Sequence, residues 1–136
     1  MTSGHPFPTL TAVSYSVRVN HDEATAFARQ WVKDWNNHDI EAVLSHFADD
    51  VTFTSPLAAR LFPDSEGVIT GIGQLREYWS EGIRRNPALR FDLDAVYTGV
   101  DTIVIAYRNE QGTSRCEVLT FREGLVQTGH GTYGAE

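Results

Sequence analysis

Trp31-Val-Lys-Asp-Trp35-Asn-Asn-His-Asp-Ile-Glu-Ala-Val-Leu-Ser-His-Phe47-Ala-Asp-Asp-Val-Thr-Phe53-Thr-Ser55-Pro56 carries the end of one helix, a short second helix and a strand in a single run. Phe27, Trp31 and Trp35 recur at i, i+4 and i+8 with Ala24 and Ala28 beside them, which makes one apolar stripe of an α-helix. Asn20 followed by Glu23 spells a capping box, so the spacing predicts the helix start there. Asn36-Asn37-His38 ends it. Asp39 is placed to cap a second helix carrying Val43, Leu44 and Phe47. Asp49-Asp50 then turns the chain into a strand, 51–55. Pro56 has no N–H to give to a ladder and favours the strand end.

Outward from this run, residues 57–70 read as an irregular loop. Thr70 is placed to cap a third helix with Leu75, Tyr78, Trp79 and Ile83 on its apolar side, stopped by Asn86-Pro87. The rest reads as strands. In 90–97, Phe91, Leu93, Ala95 and Tyr97 alternate against Asp92 and Asp94, and further strands are predicted over 103–109, 115–122 and 125–133. Turns fall between them, at Gly99 to Thr102, Glu110 to Gly112 and Glu123-Gly124. Three helices followed by a meander predict an α+β fold, with the helices on one face of a curved antiparallel sheet. Residues 1–20, with Pro6 and Pro8 ahead of a Thr, Val and Ser-rich tract, read as an N-terminal extension. Residues 21–136 read as the domain.

With 136 residues the chain is expected to be one domain with a real core. The net charge of −7 argues against nucleic acid, whose phosphates need a basic face. The single cysteine, Cys116, excludes a disulfide within the chain, and with no signal-peptide pattern at the start the expected compartment is the cytoplasm. No run of 18 apolar residues exists to span a membrane. The histidines show no metal-ligand spacing and no glycine-rich phosphate loop is present, so no metal or cofactor is expected.

The wording Phe47-Ala-Asp-Asp50-Val51-x-Phe53-x-Ser55-Pro56, Gly71 at the third helix and the Phe121-x-x-Gly124 hairpin resemble the nuclear transport factor 2-like superfamily, over roughly residues 22–134. Within it the chain looks most like the SnoaL-like group of polyketide cyclases. The resemblance implies a cone-shaped fold around a ligand pocket, with residues 57–70 over its mouth. It also implies which chemistries are missing. The oxyanion-donor tyrosine, the base and the protonated aspartate of the superfamily's ketosteroid isomerases fall on Trp31, Ser55 and Leu119, so that mechanism has no acid or base here. The last-strand aspartate of the limonene epoxide hydrolases, like the base of the SnoaL-like cyclases, falls near Gly131.

If Leu119 faces the pocket, alternation puts Arg115, Glu117 and Phe121 on the same face. A hairpin with a type I turn and a left-handed Gly124 would pair odd residues with odd ones, turning Gln127, Gly129, Gly131 and Tyr133 inward with Ile103, Ile105 and Tyr107. A two-residue turn at Glu123-Gly124 would shift the pairing by one and set His130 across from Glu117. The sequence leaves both registers open. Glu117 is the leading candidate acid–base, since a carboxyl in an apolar cavity has a raised pKa. Tyr107 and His130 are candidates to polarise a substrate oxygen. Trp31, Trp35, Phe53, Ser55, Tyr78, Arg115, Leu119 and Tyr133 are expected to line the site. The bland alternatives are an ion pair of Glu117 with an arginine, an interfacial His130 and tryptophans that merely fill the core.

Three functions remain open at this stage: an enzyme of cyclase, isomerase or hydrolase type on a small apolar oxygenated molecule, a non-catalytic binder, or an interaction module. A homodimer is expected through the even-numbered face, Cys116, Val118, Thr120, Val126 and Thr128. An enclosed cavity above ~300 Å³ with Glu117 at its wall would favour the first two.

Overall fold

The structure is a computed structural model that describes residues 20–135. The expected extension, apart from Asn20, lies outside those residues. Helix α1 (His21–Asn36) starts with the capping box: Asn20 Oδ1 accepts from the Glu23 amide and Glu23 Oε1 from the Asn20 amide. Its apolar stripe, Ala24, Phe27, Ala28, Trp31 and Trp35, is fully buried. Asp39 caps the five-residue helix α2 (Ile40–Leu44) by accepting from the Ala42 amide.

Strand β1 runs Phe47–Thr54, so it starts earlier than Asp49-Asp50 suggested. The two aspartates form an irregularity inside the strand, where the pairing with the last strand shifts. Residues 57–70 are more ordered than the expected loop. They contain α3 (Pro56–Leu61), a 3₁₀ turn (Pro63–Ser65) and the short edge strand β2 (Val68–Thr70). The excursion is closed at its base, where the Ser55 amide donates to the Gly67 carbonyl. Thr70 does not cap the next helix. Gly71, at φ 87°, holds the cap position of α4 (Ile72–Arg85), and the Thr70 amide donates to Gln74 Oε1. A left-handed φ suits glycine better than threonine.

Strands β3 (Asp92–Gly99), β4 (Thr102–Arg108), β5 (Ser114–Arg122) and β6 (Leu125–Tyr133) form the expected antiparallel meander. The sheet order is β2-β1-β6-β5-β4-β3. It is a mixed sheet, because β1 and β6 run parallel. The fold is therefore α+β, with helices packed on a six-stranded curved sheet.

Two bulges overturn parts of the alternation. In β3 the register shifts between Leu93 and Ala95, so Val96 packs on the core and Tyr97 is 59% exposed, against the expected inward Tyr97. The β5–β6 turn is the two-residue one, with Glu123 and Gly124 both at positive φ as a type I′ turn requires. Taken alone it would pair Glu117 with His130. A bulge at Gln127, between the pairs Phe121↔Val126 and Thr120↔Thr128, restores the odd-with-odd pairing beyond it. Val126 is consequently buried, and Gln127 instead donates to Asp50 Oδ1 in the irregular part of β1. The expectations that Val126 faces outward and Gln127 inward are both reversed by that one extra residue.

Candidate functional site

Beyond the bulge the ladder aligns three rows across β4, β5 and β6: Tyr107–Arg115–Tyr133, Ile105–Glu117–Gly131 and Ile103–Leu119–Gly129. The third row is solid core. Gly129 is required there, because a β-carbon would lie 2.8 Å from Cδ1 of Phe53. The second row opens into space. A β-carbon at Gly131 would stand 3.6 Å from Ser55 Oγ and 3.7 Å from Glu117 Oε1, so Ser55 and Glu117 meet at a position that carries no side chain.

Helices α1 and α4 cover these rows with aromatic rings. Trp35 and Trp79 meet edge to face at 5.0 Å, Trp31 stacks on Phe91 at 5.5 Å, and Phe91 lies 4.4 Å from Tyr107. Phe91 is fixed by the end of α1: Asn36 Nδ2 donates to its carbonyl and Asn36 Oδ1 accepts from its amide. The indole Nε1 atoms of Trp31 and Trp35 are buried with no partner among the described residues, two donors left unsatisfied in the wall.

A cavity of about 170 Å³ remains between the rows and the rings. A cavity near ~150 Å³ is enough for benzene, so one ring fits here, although the volume falls short of the ~300 Å³ expected. Trp31, Trp35, Phe53, Ser55, Tyr78, Tyr107, Arg115, Glu117 and Tyr133 all line it. Leu119 does not; it is fully buried beneath, against the Gly129 backbone. His130 is on the opposite face, paired with Val118, and its Nδ1 lies 2.6 Å from Thr54 Oγ1. The expected oxygen-polarising role of His130 does not go with that position, and the bulge is the reason.

Glu117 is 5% exposed and has no ion-pair partner among the described residues. Burial pushes its carboxyl up to about 8, with the neighbouring Tyr107 phenol pulling the other way. Near neutrality it is therefore mostly protonated, able to give a proton and then take one back. Burial also raises the phenols of Tyr107 and Tyr78. Tyr78 donates to Ser55 Oγ at 2.9 Å, and the same oxygen accepts from the Leu57 amide at 3.1 Å. Ser55 thus has both acceptor positions used, and its own proton is free to donate. At the mouth the Arg115 guanidinium lies 3.8 Å over the Tyr133 ring.

The wall also contains residues not anticipated as site residues: Leu57, Trp79, Phe91, Asn86, Asn109 and Glu110 among them. Trp79 and Phe91 were visible as inward members of their elements. Asn86, Asn109 and Glu110 sit at element ends, where periodicity carries no orientation. Among the described residues no group of three or more His, Cys, Asp or Glu is gathered to hold a metal ion, and no helix is long and apolar enough to cross a membrane.

A SnoaL-like protein of unknown function from Burkholderia thailandensis is similar at 33% identity, with a TM-score of 0.81 over 86% of this chain and 98% of that one. TerC, co-crystallised with polyporic acid, shares the fold at 16% identity, with a TM-score of 0.65 over 82% of this chain and 92% of its own. An NTF2-like protein of unknown function from Burkholderia pseudomallei shares it at 17% identity, with a TM-score of 0.65 over 82% and 90%. Among curated proteins none matches the chain. Residues 28–128 match the SnoaL-like domain family. The chain belongs to that family, and it shares its fold with NTF2-like proteins.

Proposed function

We propose that this protein takes a small, ring-bearing, oxygenated molecule into the cavity and moves a proton on it. Glu117 is the general acid–base, and Tyr107 polarises an oxygen from the adjoining row. One observation carries the reading: a carboxyl with no ion-pair partner among the described residues, 5% exposed, at the wall of an aromatic cavity. A buried carboxyl with no cation beside it, and only the Tyr107 phenol to hydrogen-bond it, is costly and would be poorly explained by packing alone. The resemblance puts the cyclases' base near Gly131, and Glu117 is the residue directly opposite. Its carboxyl reaches the space that a side chain at 131 would enter, so the acid is supplied from the neighbouring strand.

The test uses acetophenone, a single-ring ketone, in deuterated water. The protein should accelerate exchange of the methyl protons, and Glu117→Gln should lower that rate by ~10²–10⁴-fold in a folded protein. Retained exchange in the variant would remove Glu117 from the mechanism. Binding without exchange in the native protein favours the second reading, a non-catalytic carrier. The fold shared with TerC, which was crystallised with polyporic acid, supports ligand binding in either case.

We also propose a homodimer through the outer sheet face, where Thr54, Cys116, Val118, Thr120, Thr128 and His130 are partly buried. Small and β-branched residues on an open face suit a partner. Light scattering at micromolar concentration should give twice the chain mass, and a monomer would refute it.

A further inference from the structure

We infer that the molecule taken by this cavity carries a carboxylate, seated on Arg115 at the mouth while its ring lies among the tryptophans. The inference rests on the reading of the cavity as a ligand site and adds the ligand's charge.

Arg115 is the basic residue among those that line the cavity. Arg76, Arg84, Arg85, Arg90 and Arg108 each hold a carboxylate at the surface, whereas Arg29, Arg60, Arg115 and Arg122 hold none among the described residues, and of these four only Arg115 lines the cavity. Its guanidinium carbon nevertheless sits over the Tyr133 ring, 3.8 Å from the centroid. Stacking occupies the face of a guanidinium and leaves its N–H edge free, which is the edge that takes a carboxylate in two parallel hydrogen bonds. The two carboxyl groups of the wall do not use that edge. Glu117 is two residues along the same strand face and is largely uncharged near neutrality. Glu110, at the rim, accepts from Asn86 Nδ2 at 2.9 Å and from the Arg90 amide. A cation aimed over an apolar cavity without a counter-ion is unfavourable, and a ligand carboxylate supplies one. The dimensions agree: about 170 Å³ holds one ring, and Arg115 is in the outermost of the three rows.

The experiment compares benzoate with benzamide, near-identical in shape and differing in charge. Binding is read by calorimetry and by quenching of the tryptophans, all three of which line the cavity. Benzoate should bind the native protein about 10- to 100-fold more tightly, the size of a charge-assisted pair in a partly dry site. Arg115→Gln should bring the two ligands level. Arg115→Lys, which keeps the charge and loses the two-pronged edge, should retain part of the preference and guards against a variant that merely unfolds. Equal binding of both ligands, or a preference that survives Arg115→Gln, overturns the inference and leaves the cavity as a site for neutral rings. No binding of either ligand overturns the inference together with the ligand-site reading. A benzoate preference in a protein that exchanges the methyl protons of neither acetophenone nor 4-acetylbenzoate upholds the carboxylate and removes only the proton transfer.

Discussion

The two faces of β5 and β6 share a backbone and differ in chemistry. Inward, Glu117 is buried, beside the Tyr107 phenol and with no ion-pair partner among the described residues, and burial holds it mostly protonated. Outward, His130 meets Thr54 within a field of threonines and valine, all of them partly accessible. Both residues have a polar group suited to proton transfer. What separates them is which side α1 and α4 cover. Helical cover desolvates Glu117 and leaves His130 wet, so position across a pleat, rather than residue type, sets which of the two polar groups is buried.

That contrast can be tested from its strongest point downward. Folded Glu117 keeps its proton between its ordinary value of 4.5 and about 8, while the unfolded chain has lost it. The unfolded state binds fewer protons in that window, so stability should fall as pH rises from about 5 to 8 and level off above. At about 1.4 kcal/mol for each pH unit, the accumulated loss is several kcal/mol. Glu117→Gln should flatten this dependence in urea titrations run across the range. An unchanged slope would mean that the carboxyl is solvated or paired. Trp31→Ala should cost on the order of 3–5 kcal/mol, since the ring is fully buried and touches Phe91, Tyr107 and Trp35. A melting curve that does not move would place α1 the wrong way round.

Gly129→Ala should cost about 1–3 kcal/mol, because the new methyl meets the edge of the Phe53 ring in a packed core. Neutral behaviour there would contradict the odd-with-odd pairing on which the inward face depends. His130→Ala should be the mildest, about 1 kcal/mol or less for one hydrogen bond at a partly wet site. Acetophenone exchange should be untouched by it. Loss of exchange with His130→Ala alone would mean that the faces are assigned in reverse.

The starts of α1 and α2 and the buried stripe of α1 were legible because their signals are local, although Phe47, expected on the second helix, begins β1 instead. Asn20 and Glu23, Asp39, and the Phe27–Trp35 stripe each act within a few residues, and each appears as read. The inward positions of Tyr107 and Arg115 were legible from parity along regular strands, whereas that of Tyr133 waited on the hairpin register that the bulge at Gln127 sets. Parity fails wherever a strand takes in an extra residue. The bulge in β3 turned Tyr97 out, and the bulge at Gln127 exchanged Val126 and Gln127 and sent His130 away from Glu117. Bulge positions follow from pairing across strands, as with Gln127 and Asp50, which are distant in sequence. The helix and edge strand within 57–70 were hidden for a similar reason: Ser55 and Gly67 close that excursion through a backbone bond that no periodicity announces.

The bulge at Gln127 also gives the hairpin slack in length. The tight Glu123-Gly124 turn fixes the register before it, and the Glu117↔Gly131 row sets the register after it. The surplus residue lies between those two demands. A chain shortened by one residue within 127–129 can straighten β6, keep the turn and still bring Gly131 opposite Glu117. A chain lengthened by one has no such reserve and must open a second bulge or exchange its faces. A sequence of this kind can therefore lose a residue here and keep Gly131 opposite Glu117, whereas one that gains a residue keeps that pairing only by opening a second bulge.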